Sequence, residues 1–203
     1  MEILFVILLI CLYFNKDVYA NYGDFNKLPI ISFDEGYSHL FGDNNLMLLN
    51  DGKSVHLSLD ERTGSGFMSH DIYLNGFFSA SIKLPADYTA GVVVAFYMSN
   101  GDMYKKNHDE LDFEFLGNIR GKEWRVQTNV YGNGSTSIGR EERYTLWFDP
   151  SEEFHRYSIL WTEDQIMYSS SSFTLFSSVL LLNSVKHSIT AVNTRVLINH
   201  LQD

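Results

Sequence analysis

The chain has 203 residues and carries 25 acidic against 15 basic side chains, a formal net charge of −10. Its length suits one domain, and a hydrophobic content of 45% supports a real core, which excludes global disorder. The acidic balance, relieved by no Lys/Arg cluster, argues against a nucleic-acid-binding surface.

The first element is the apolar run ILFVILLICLYF at residues 3–14, followed by polar residues and then Val18, Tyr19 and Ala20. Val18 and Ala20 occupy the small-residue positions of a cleavage site. Residues 1–20 therefore read as a secretory signal peptide, with the mature chain starting at Asn21. The run is short for a membrane anchor. Glu2 departs from the pattern, standing where a basic residue is expected. The single cysteine, Cys11, lies inside this segment. The mature chain then has no disulfide, no thiol nucleophile and no cysteine-bound metal.

From Asn21 to Trp161 the pattern is all-β. SVHLSLD, GFFSASIKLP, GVVVAFYMS, EWRVQTNVY, RYTLWFD and FHRYSILWT read as strands, and segments such as ERTGSG, ADYTAG, NGDMYKKN and GNIRGK supply the reversals between them. An aromatic content of 15% favours sandwich cores and sugar-stacking clefts, although core packing alone explains most of it. No amphipathic helix of convincing length and no phosphate-binding glycine motif occurs. After about Ile166 the punctuation stops: the last glycine is Gly139 and the last proline is Pro150.

The most informative strand is NHDELDFEFLGN at residues 107–118. His108, Glu110, Asp112 and Glu114 take alternate positions, with Leu111, Phe113 and Phe115 between them. On a strand this puts the carboxylates and the imidazole on one face and the apolar residues on the other. The α-carbons of Glu110 and Glu114 are about 13 Å apart in extended chain. Their side chains can lean to bring the carboxyls to about 5–5.5 Å, the spacing that suits retaining glycoside hydrolysis. Crowded carboxylates cannot all ionise freely, so at least one pKa should rise. A solvated acidic face and a calcium site remain as alternatives. His108 is expected to be a hydrogen-bonded support.

HDELDFEFLGN resembles the signature of the plant xyloglucan endotransglucosylase/hydrolases of glycoside hydrolase family 16. TGSGF and AGVVVAFYMSN upstream, and VQTNVYGNGS, REERYTLWFDP and FHRYSILW downstream, follow the same family in order and spacing. The likeness runs from about Gly36 to Ile166. NGDMYKKN and GNIRGKEWRVQTN are most similar to the family's third group, which holds both transferases and hydrolases.

The resemblance implies an all-β jelly-roll sandwich with a concave substrate cleft. It implies retaining cleavage of the β-1,4-glucan backbone of xyloglucan, with transfer to another chain or to water and no cofactor or metal. Glu110 would be the nucleophile, Glu114 the general acid and base, and Asp112 the residue that tunes the nucleophile. Tyr97 would line the donor side, and Gln127 and Asn129 the acceptor side. The partners would be xyloglucan polysaccharide and oligosaccharides, met by a monomer secreted to the apoplast and cell wall, with no nucleic acid and no membrane once the signal is cleaved. Asn133 opens NGS, the chain's one N-x-S/T sequon, and is the expected glycan acceptor.

Family members continue past YSILW with a VPIR-like turn, a tryptophan-bearing strand along the cleft and paired cysteines, all missing here. The expected organisation is a signal peptide at 1–20, a partial family 16 domain at 21–167 and a divergent tail at 168–203. The sandwich is expected to be incomplete at its C-terminus, with a tail that does not rebuild the missing strands in register. The alternatives are a non-catalytic glucan-binding protein or a non-functional truncated product.

Overall fold

The computed structural model describes residues 31–162, 166–170 and 193–200. The expected signal peptide, its expected cleavage site before Asn21 and most of the expected tail lie outside these residues.

Among the described residues the order begins with a short helical turn, α1 (Phe33–Gly36), and continues with β1 (Tyr37–Phe41), β2 (Leu46–Leu49), β3 (Ser54–Leu57), β4 (Ser65–Ser69) and β5 (Gly76–Ile82). Then come β6 (Val92–Ser99), β7 (Glu110–Leu116), β8 (Arg125–Tyr131), β9 (Glu142–Thr145), β10 (His155–Trp161), β11 (Ile166–Ser170) and β12 (Asn193–His200). The turn α1 exists because of a capping box. The Ser32 backbone N–H and hydroxyl both donate to the Glu35 carboxylate, at 3.1 and 2.7 Å. Between β2 and β3 the chain reverses through Asn50 and Asp51, both at positive φ, the residue types that tolerate it best after glycine.

One sheet has seven strands in the order β1-β4-β12-β6-β7-β8-β9, and a second has three, β11-β10-β5. Neighbouring strands are antiparallel throughout. The core lies between the two sheets. Val94, Phe96 and Met98 of β6, Leu111, Phe113 and Phe115 of β7, and Val126 and Val130 of β8 meet Tyr157, Ile159 and Trp161 of β10 and Ile166 and Tyr168 of β11. Leu111, Phe113 and Phe115 are 0% exposed. Phe115 packs edge-on to Tyr157 at 4.6 Å between ring centroids, and Phe113 packs edge-on to Tyr168 at 5.1 Å. Emptying one such phenylalanine site costs about 3–5 kcal/mol, which pins the register of β7.

The far end of β7 is also clamped. Gly117 passes so close to the next loop that a β-carbon would fall 2.0 Å from the Thr89 carbonyl oxygen. Thr89 and Asn118 then exchange backbone and hydroxyl hydrogen bonds of 2.9–3.1 Å.

Residues 193–200 form β12, paired with β6 from Asn193↔Ser99 to His200↔Val92 and with β4 from Arg195↔Met68 to Ile198↔Ser65. This part of the expected tail thus pairs in register with two strands of the sheet, while residues 171–192 and 201–203 lie outside the described residues. Without β12, β4 and β6 would present two facing rows of unpaired backbone groups. NTRVLINH carries the β-branched residues that suit such a slot. Long-range edge pairing of this kind leaves no turn signal in the sequence.

Candidate active site

Register assembles the site. Ser99, Tyr97 and Ala95 of β6 lie opposite Glu110, Asp112 and Glu114 of β7, which lie opposite Tyr131, Asn129 and Gln127 of β8. Gln127 in turn lies opposite Arg143 of β9. Directly paired residues share a face, so these side chains form one polar patch on the side of the sheet away from the core. The alternation seen in the sequence is therefore real, with one difference. The strand begins at Glu110, because Asp109 closes the preceding loop: its N–H donates to Asn100 Oδ1 at 2.9 Å and its carboxylate accepts the Gly134 N–H at 2.8 Å. His108 still reaches the patch, with Nε2 3.4 Å from Glu110 Oε2 and its ring edge-on to Tyr131.

Asp112 is the least exposed of the three acids, at 6%. Its Oδ2 accepts from Asn129 Nδ2 at 3.1 Å. Burial pushes its pKa well above the ordinary carboxylate range, and the charges of Glu110 and Glu114 push the same way. The Asn129 donor opposes them without winning. The shift favours the protonated form of Asp112, and a hydrogen bond with the Glu110 carboxyl works in the same direction. This burial rules out a solvated acidic row.

Glu114 is half-buried, and its Oε2 accepts from Gln127 Nε2 at 2.5 Å. Desolvation raises its pKa, helped by Glu141 and Glu110; the Gln127 donor and the Arg143 charge lower it. Two glutamates on one face therefore sit in unlike surroundings, the arrangement that separates a nucleophile from a proton donor. Among the described residues, no group of three or more His, Cys, Asp or Glu side chains is arranged to hold a metal ion.

The profile of glycosyl hydrolases family 16 matches residues 33–170, which include every residue of this patch. The chain belongs to that family. Two relatives from Arabidopsis thaliana carry the likeness further. "Probable xyloglucan endotransglucosylase/hydrolase protein 28" is 75% identical over 142 residues, covering 70% of this chain and 43% of its own length. "Probable xyloglucan endotransglucosylase/hydrolase protein 27" is 77% identical over 142 residues, with the same coverage of each. The family 16 chain thus spans less than half the length of these relatives. Among solved structures, a prokaryotic β-1,3-1,4-glucanase (lichenase) from a mouse hindgut metagenome superposes with a TM-score of 0.65 at 22% identity, covering 84% of each chain. At that identity the likeness speaks to the fold, the jelly-roll sandwich expected from the sequence.

In the family 16 chain the structure brings together all three acids, His108, Tyr97, Gln127 and Asn129. It gives the two amides a further task. Gln127 and Asn129 are only 6% and 4% exposed, and each donates to a carboxyl. Asn129 is itself held, its Oδ1 accepting the Arg140 N–H and its carbonyl accepting the Tyr168 hydroxyl, both at 2.8 Å. Asn133 sits apart, exposed in a turn at φ 66°. Arg143 and Tyr168 were not singled out from the sequence. Arg143 lies within REERYTLWFDP, but nothing local shows that it aligns with Gln127. Tyr168 lies beyond the residues that carried the resemblance.

Proposed function

We propose that this chain cleaves the β-1,4-glucan backbone of xyloglucan with retention and transfers the new end to a xyloglucan acceptor or to water. One observation carries the proposal: Glu110 and Glu114 share a face, with the buried Asp112 between them. In the first step a Glu110 oxygen attacks the anomeric carbon and the glycosidic C–O bond breaks. The leaving oxygen takes the proton of Glu114. In the second step Glu114 removes a proton from the acceptor hydroxyl or water, which attacks the same carbon and releases Glu110 as a carboxylate. Asp112 donates to Glu110 and holds its attacking oxygen in place, and His108 flanks the same carboxyl. The raised pKa of Glu114 favours the protonated form that the first step uses. Tyr97 lines the donor side; Gln127 and Asn129 meet acceptor-side sugars while orienting the acids.

The same proposal includes secretion to the apoplast with cleavage after Ala20, action on cell-wall xyloglucan as a monomer, and an N-glycan on Asn133, whose exposure leaves it open to transfer. The test is transfer from xyloglucan to labelled xyloglucan oligosaccharides by the full chain, with reducing ends counted in parallel. Turnover that disappears in Glu110→Ala is the expected result. Binding of xyloglucan without turnover in the unaltered chain would replace the enzyme with a glucan-binding protein.

A further inference from the structure

The Gln127 side chain has a donor end and an acceptor end, and both are occupied. Nε2 donates to Glu114 Oε2 at 2.5 Å, and Oε1 accepts from Arg143 Nε. With Glu114 ionised, turning the amide over would set its oxygen against a carboxylate and its NH2 against a guanidinium, losing two charge-assisted hydrogen bonds at once; with Glu114 protonated, the clash of NH2 with the guanidinium remains. At 6% exposure Gln127 has little water to satisfy it in any other pose. Arg143 is not buried, and it is steadied from outside: its Nη2 lies 3.8 Å from the exposed Glu141 carboxylate.

We propose that Arg143 is a positioning residue of the acid/base site, locking the Gln127 amide with its donor end on Glu114, and that Glu141 holds Arg143 in turn. The inference rests on the proposed role of Glu114 as acid and base. Arg143 touches Gln127 rather than Glu114, so it acts through the amide and through its charge. Glu114 faces Glu110 and Asp112 from its own strand, Gln127 from β8, Arg143 of β9 and Glu141 just before that strand; its register partner on β6, Ala95, brings no charge. Arg143 and Gln127 favour the ionised carboxyl, while burial, Glu141 and Glu110 favour the protonated one. Arg143 and Glu141 therefore bias the Glu114 carboxyl in opposite directions, on top of its burial.

The experiment follows the Glu114 carboxyl directly. The full chain is labelled with 13C at glutamate carboxyls, the Glu114 signal is identified by its loss in Glu114→Gln, and it is titrated in the parent, Arg143→Gln, Arg143→Lys and Glu141→Gln. Thermal melts confirm that each exposed-site variant folds. The titration should move to higher pH in Arg143→Gln, to lower pH in Glu141→Gln, and back toward the parent in Arg143→Lys. On xyloglucan, kcat of Arg143→Gln should fall by about 10-fold, with its alkaline limb displaced in the same direction as the titration. An unmoved Glu114 titration in Arg143→Gln overturns the inference, as does a rise in KM alone, which would make Arg143 a sugar contact. A displaced titration in a chain that does not turn over xyloglucan upholds the link from Arg143 to Glu114 and overturns the proposed reaction instead.

Discussion

From β6 through β9 the seven-stranded sheet runs through strands that follow one another in the chain, each paired with the next by a local reversal. On the other side, β4 meets β6 only through β12, a strand drawn from residues 193–200. The local half holds every acid of the site. The remote half holds none of them, yet it covers the edge of β6, the strand that carries Tyr97. Local pairing needs little loop closure, so its register is set by alternation and short turns. Remote pairing must close a long stretch of chain first, and it is the part of the sheet most exposed to loss.

Four substitutions or deletions probe this division. The largest effect belongs to the local half. Glu110→Ala should lower turnover on xyloglucan oligosaccharides by at least about 10³-fold while the melting temperature stays near that of the parent, because its side chain faces away from the core. Substantial activity in this variant would remove the chemistry from β7 altogether. Next, Glu114→Ala should cost about 10²–10⁴-fold on xyloglucan and much less on an aryl glycoside whose leaving group needs no proton. Equal losses on both substrates would deny Glu114 its role as an acid.

The third probe attacks the remote half. Deleting residues 193–203 removes the pairing of β12 with both neighbours, and each net hydrogen bond contributes about 0.5–1.5 kcal/mol. Several such bonds lost together should lower the melting temperature by about 10 °C or more in a chain of this size. An unchanged melting curve would mean that the sheet does not depend on the tail.

The smallest effect is a slope. Asp112 has a folded-state pKa above its unfolded value, so the folded state binds the extra proton. Its contribution to stability is fully present below the ordinary carboxylate pKa and is lost as pH rises through the folded value. Glu114, also raised, acts in the same direction. Asp112→Asn should therefore flatten the decline of melting temperature with pH over that window, which denaturation in a series of buffers would reveal. An identical slope would show that Asp112 is ionised in the folded protein.

Much of this was legible in the chain itself. The alternation of Glu110, Leu111, Asp112, Phe113, Glu114 and Phe115 has the period of a strand, and period is a local property. The same pattern divides acid face from core face, and the structure agrees: Leu111, Phe113 and Phe115 are fully buried against the second sheet. His108 shows where local reading stops. It continues the alternation, but the loop held by Asp109 and Asn100 starts the strand two residues later. The amides of Gln127 and Asn129 were expected beside the site as sugar contacts, whereas their commitment to Glu114 and Asp112 depends on the β7–β8 register. Periodicity within one strand cannot specify which residue of another strand lies opposite.

The sequence by itself determined the class of fold, the strand that carries the acids and the face they share, because each follows from spacing along a few consecutive residues. Only the tertiary structure decided that burial raises the pKa of Asp112, that Arg143 reaches Glu114 through Gln127, and that residues 193–200 fill the slot between β4 and β6. Each of these depends on groups distant in the chain meeting where water is displaced. Desolvation and strand pairing are properties of that meeting rather than of either segment alone.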